Sequence, residues 1–256
     1  MRNIRVIGWN TFLELVRNRI LYTILLFAIL IILGVESFSH FQKEMQAKLV
    51  KDISLTAIAY FSVFLALFLT MDQVSNEIER KTIYFVLTRP VHRLQFLVGK
   101  FLGVNAILIL NLLFTGGTLV ISLSGSRQAM DWNLLSSLIL IFCQNLMISG
   151  LVLFFSTFLS NVLASTFSLF IYFFGTISGT LLHGLQESES HVLGMVVQTL
   201  QFLLPNFNLF DLHELVVSST VTSVSLRYTL ILVLYAILYT ANLLLIGHLI
   251  FRRRDL

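Results

Sequence analysis

Apolar positions along this chain gather into six long blocks, at about 20–38, 53–71, 94–122, 134–155, 162–182 and 228–250. A helix needs roughly 20 apolar residues to cross the hydrocarbon of a bilayer, and each block supplies them. Strands of a transmembrane barrel would instead alternate apolar and polar positions over about 10 residues. The pattern predicts an all-α polytopic membrane protein with six spans. From Trp132 to Leu182 no Asp, Glu, Lys or Arg occurs. That stretch exceeds two span lengths, so it must fold back, and the polar run Ser156–Asn161 is the only place to do so.

Two regions carry shorter apolar periods. Trp9, Phe12, Leu13, Val16 and Ile20 recur at helical spacing with Arg2, Arg5, Glu14 and Arg17 off the stripe, the pattern of an amphipathic helix lying in the membrane interface. Between spans five and six, Val192–Leu204 is mostly apolar but only 13 residues long before Pro205, and Leu209–Val217 is a second short amphipathic piece. Neither can cross about 30 Å as a helix, so both are expected to be re-entrant or interfacial. The organisation expected is a single transmembrane domain over 1–256: an interfacial elbow helix at 1–19, spans one and two at 20–71, and a cytoplasmic segment at 72–93. Spans three to five follow at 94–182, an extracytoplasmic re-entrant region at 183–227, then span six with a basic tail at 228–256.

Composition agrees with this. Of 256 residues 57% are apolar and 12% charged, about half the charge usual in soluble domains. The net charge of +4 reads as topology and not as nucleic-acid affinity. With both termini cytoplasmic, twelve of the 17 Lys and Arg fall inside and five outside (Lys43, Lys48, Lys51, Arg127, Arg227), which favours that orientation. The first span is expected to be retained, because Glu36-Ser37-Phe38 follows it in place of a small-x-small cleavage site.

Candidate chemistry is sparse. The single cysteine, Cys143, excludes an intrachain disulfide and a Cys-based metal site, and no metal or catalytic residues are assigned. Ser178 and His183, beside Gly175 and Gly179, have the wrong glycine spacing for a nucleophile elbow. Gly175 and Gly179 read better as a small-xxx-small ridge that lets two helices, of one chain or of a dimer, approach closely. Gly99-Lys100 lacks the glycine and the Ser or Thr of a P-loop. Within the spans, Asn105, Asn111, Gln144, Asn145 and Asn242 are candidates for a polar pathway, with Asn105, Asn111 and Asn145 singled out, or for interhelical hydrogen bonds.

Information concentrates between Asp72 and Lys100. Asn76 and Glu79 form a capping-box-like pair, and Glu77 and Lys81 stand at i, i+4 in the favourable order. Ile83, Val86 and Leu87 supply an apolar face, and Pro90 ends the helix near Thr88. A short, stiff, capped amphipathic helix is expected on the cytoplasmic side.

The order Asn76-Glu77-Ile78-Glu79, Thr82, Leu87-Thr88-Arg89-Pro90, Arg93 and Gly99-Lys100 resembles the signature of type-2 ATP-binding-cassette (ABC) export permeases, closest to the branch holding the permease of the nitrous-oxide-reductase maturation system. Lys81 stands where that family usually has glycine, and His92 where a small hydroxyl residue is common. The resemblance implies a permease subunit in the inner membrane of a bacterium, coupling ATP hydrolysis by separate subunits to export of a substrate. ATP and Mg would lie on two copies of an ABC ATP-binding subunit, leaving this chain without cofactor or enzymatic activity of its own. A second permease chain, identical or not, would complete the complex. The segment 72–93 would be the coupling helix, with Glu77, Glu79, Arg80, Thr82, Arg89 and Arg93 at the ATPase contact and Pro90 and Gly99 shaping the backbone. The alternative readings are a non-transporting membrane anchor or assembly subunit on the same fold and, more remotely, an intramembrane hydrolase.

Overall fold

The computed structural model describes residues 2–38, 46–73, 93–123, 132–186, 204–210 and 225–253. Seven α-helices account for nearly all of them: α1 (Arg2–Val16), α2 (Arg19–Phe38), α3 (Gln46–Met71), α4 (Arg93–Leu123), α5 (Trp132–Ser156), α6 (Asn161–Gln186) and α7 (Leu226–Arg253), with one 3-10 turn at Phe207–Phe210. No strand occurs among the described residues. Among the described residues, four helical stretches are long and apolar enough to cross a membrane, Val50–Met71, Arg93–Leu123, Trp132–Ser156 and Leu226–Ile250. The pair α1 and α2 passes the same test together but is bent by 63° at its break. In α6 the apolar stretch Asn161–Ile177 is shorter than these.

Local chemistry explains the breaks. At the α1–α2 corner the amides of Arg17 and Asn18 turn back onto the carbonyls of Glu14 and Leu15, and the Asn18 Oδ1 accepts the amide of Ile20 at 2.9 Å. Asn18 thus satisfies one of the orphan donors at the start of α2. At the α5–α6 corner the amides of Thr157, Phe158 and Leu159 fold back onto Phe154 and Phe155, and the carbonyl of Ser160 accepts the amide of Ala164. The rings of Phe154, Phe155, Phe158 and Phe167 pack over this corner at 5.1–6.0 Å between centroids.

The centre of the bundle is α5, which packs against α3, α4, α6, α7 and the 3-10 turn. Its inward residues Leu140, Met147, Ile148, Leu151 and Val152 join Leu65, Leu69, Val104, Ile107, Leu108 and Ala236 in the main core. A second cluster, built on Ile32, Ile58, Leu119, Leu134 and Ile141, fills the opposite end of the α2–α3–α4–α5 contact. Large apolar side chains on α2, α6 and α7 (Leu30, Phe170 and Leu234 among them) point outward. Lipid is as apolar as they are, so such exposure carries no penalty in a bilayer.

Helix α1 differs from the expected pattern in an instructive way. The stripe read from the sequence faces outward at Trp9 (61% exposed) and Leu13, with Trp9 stacked on Phe12 at 5.5 Å. A second face, with Ile4, Ile7, Gly8, Thr11 and Leu15, packs on the body of the protein. Its partner is α4, and glycine decides the approach. A Cβ on Gly99 would lie 2.7 Å from the Ile7 Cγ2, and one on Gly103 would lie 2.6 Å from the Thr11 Cβ and 2.7 Å from the Gly8 carbonyl. Gly99-x-x-x-Gly103 is therefore a small-xxx-small contact, used between α1 and α4.

Candidate functional site

The segment 74–92, with Glu77, Glu79, Arg80, Thr82, Arg89 and Pro90, lies outside the described residues; its two ends do not. The entry is held at the last turn of α3. Asn161 Nδ2, at the start of α6, donates to Asp72 Oδ1 at 2.9 Å. Lys100 Nζ, two turns into α4, donates to Gln73 Oε1 at 3.2 Å. The same ammonium stands 3.7 Å from Glu14 Oε2 on α1 and 5.9 Å from the centre of the Phe96 ring. Lys100 is only 5% exposed, and a cation in such a place requires acceptors of this kind.

The exit is held as closely. Arg93 opens α4 and is half-buried. Asn3 Nδ2 donates to Gln95 Oε1 at 3.4 Å, one turn above the Gly8–Gly99–Gly103 crossing. Entry and exit are thus tied to each other through Lys100 and to α1 and α6. Glu14, Gln73, Asn161 and Gly103 escaped the sequence reading. A lysine seven positions inside an apolar block was a readable demand for partners, and the four-residue glycine spacing was visible; which helix answered either was not.

The span asparagines occupy packed positions. Asn105 Nδ2 donates to the Phe101 carbonyl at 2.8 Å and to Ser149 Oγ at 3.2 Å, joining α4 to α5. Asn145 is 0% exposed, and neither its Oδ1 nor its Nδ2 meets a hydrogen-bond partner among the described residues; Asn111 Oδ1 is likewise buried. A cavity of about 110 Å³ lies between α3, α5, α6 and the 3-10 turn, and it is lined by none of these three asparagines but by Gln144. Its other walls include Thr56, Tyr60, Ser137, Tyr172 and Thr176, with Phe207 and Phe210 closing one side. Gly175 gives the 3-10 segment room, since a Cβ there would stand 2.5 Å from the Pro205 carbonyl and 2.8 Å from the Phe207 ring. That neighbour belongs to the same chain, and it accounts for Gly175 without a second copy. The surroundings of Gly179 and the two short pieces within 192–217, apart from residues 204–210, lie outside what is described.

Long apolar helices, outward apolar faces and buried interhelical polar ties together define an all-helical, multi-pass membrane protein. The family described as "ABC-2 family transporter protein" matches residues 5–256. The chain belongs to that family and is a transmembrane component of an ABC transporter. No curated protein matches the chain.

Proposed function

We propose that this chain is the permease subunit of an ABC exporter in the inner membrane of a bacterium, driven by two copies of a separate ATP-binding subunit and completed by a second permease chain. In this reading α2 to α7 are six spans, α1 lies in the cytoplasmic interface with Trp9 and Leu13 toward lipid, and both termini are cytoplasmic. The segment 74–92 couples the subunits through Glu77, Glu79, Arg80, Thr82 and Arg89, together with Arg93 at the base of α4.

The observation that carries the reading is the anchoring of that segment at both ends. A conformational change does work only through contacts that differ between two states, and a displaced loop transmits force only if its ends are fixed to what must move. Here the entry is bonded through Asp72 and Gln73 to α6 and α4, and the exit is seated on α1 through Gln95 and the glycine crossing. Pushing on 74–92 therefore displaces α1, α3, α4 and α6 together.

The test is the ATP hydrolysis rate of the cognate ATP-binding subunit, measured alone and with the permease in proteoliposomes. The permease is expected to change that rate. Identical rates under conditions where the two co-purify would favour a passive anchor.

A further inference from the structure

We infer that the cavity between α3, α5 and α6 is a binding subsite for an uncharged amphiphile whose head group carries hydrogen-bond donors, such as hydroxyls or amide N–H groups. The inference rests on the permease reading and names the class of substrate it would move.

The lining decides the chemistry. Ser137 and Thr176 each donate their hydroxyl hydrogen to a carbonyl of their own helix, those of Asn133 and Tyr172, at 2.9 Å. With the hydrogen committed, each oxygen offers the cavity lone pairs only. Two acceptors in one cavity call for donors on the ligand. Gln144, at mid-length of α5, is 7% exposed and forms no hydrogen bond with any described residue, so its amide is presented to the cavity with donor and acceptor both open. An amide left in this position at mid-membrane is costly unless something pairs with it.

Charge and size narrow the class. Among the described residues no Asp, Glu, Lys, Arg or His lines the cavity, so they offer an ionised head group no counter-charge to offset its desolvation. About 110 Å³ suits a single sugar-sized or amide-sized head group and not a whole lipid. Leu55, Ala59, Ile141, Phe207 and Phe210 supply apolar walls, and Tyr60, partly exposed, marks the open side through which an alkyl tail can reach lipid.

The probe is a diazirine-bearing octyl glucoside, a neutral amphiphile rich in hydroxyl donors, photolysed with the purified permease alone in nanodiscs and mapped by mass spectrometry. Saturable labelling of α3, α5 or α6 beside the cavity is expected, displaced by unlabelled octyl glucoside and not by octyl phosphate. Gln144→Leu should weaken the apparent affinity about tenfold, near the upper end of what one neutral hydrogen bond supplies. Thr176→Val, nearly isosteric and so safe for folding, should weaken it about threefold. Thr118→Val, which removes a back-bonded hydroxyl on α4 outside the cavity, should change nothing. Non-saturable labelling, equal displacement by octyl phosphate, or wild-type affinity in Thr176→Val would overturn the subsite. None of these outcomes bears on whether the permease changes ATP hydrolysis, so the two proposals fail separately.

Discussion

Lys100 shows how one residue organises the end of this protein from which the segment 74–92 departs. Its ammonium sits where water is largely excluded, with Gln73 Oε1 as a close acceptor and the Glu14 carboxylate beside it. The contact with Glu14, whose side chain is 63% exposed, contributes little by itself. The buried bond to Gln73 is a charge-assisted one, worth about 1.5–3 kcal/mol. Lys100→Met keeps most of the length of the side chain and removes the donor, so a fall in thermal stability is expected, with largely restored stability in Lys100→Arg. Equal melting of the Met variant and the wild type would show that the tie is incidental.

Glycine supplies a sharper contrast at the same scale, because two of its positions on α4 meet opposite surroundings. A Cβ at Gly103 would collide with the backbone and Thr11 of α1, whereas one at Gly117 would meet nothing within 4 Å. Overpacking costs about 1–3 kcal/mol. In detergent, Gly103→Val should therefore melt about 3–10 °C lower, and Gly117→Val should stay close to the wild type. Similar shifts in both would mean that helix propensity, not the α1–α4 crossing, sets the response.

Among the elements, α1 is the one whose role depends on having two apolar faces. The stripe was legible in the sequence because Trp9, Phe12 and Leu13 keep helical spacing, although Phe12 turns partly onto the core while Trp9 and Leu13 face outward. The inward face was not, since Gly8 and Thr11 interrupt its apolar residues Ile4, Ile7 and Leu15 and owe their place to how closely α4 approaches. The long apolar blocks coincide with helices, though α3 already begins at Gln46. Length and hydropathy alone define four of them as spans, whereas the first block passes only together with α1 and the fifth holds a shorter apolar stretch. Polar residues inside spans were the hardest to read. Asn105, Asn145 and Gln144 look alike in the sequence, yet one is bonded across to Ser149, one is enclosed, and one borders the cavity. Rotation about the helix axis separates them, and a single chain sequence does not encode that rotation without knowledge of the neighbours. For α1 itself, a Trp132→Phe variant leaves Trp9 as the only tryptophan. Its fluorescence should be quenched by lipids brominated near the head group more than by lipids brominated deep in the chain. Quenching by aqueous iodide alone would place the stripe in water.

For the whole molecule, orientation and coupling are linked claims. The distribution of Lys and Arg, twelve against five among 17, predicts that a cysteine replacing Ser126 reacts with an impermeant maleimide in intact cells while one replacing Asn76 does not. The buried native Cys143 should stay silent in both. Labelling at Asn76 from outside would invert the orientation and remove the coupling segment from the side where an ATP-binding subunit works. With the orientation established, the coupling claim depends on charge. A surface that accepts Glu77 and Glu79 must present donors or positive potential to them, and like-charge juxtaposition at an interface costs several kcal/mol. The most direct measurement is co-purification of the ATP-binding subunit with the Glu77→Lys/Glu79→Lys double variant from membranes. Coupling through 74–92 predicts that recovery of the subunit falls at least tenfold while the variant inserts normally and Asn105→Ala retains its partner. Stoichiometric recovery with the double variant would place the docking surface elsewhere and contradict the account.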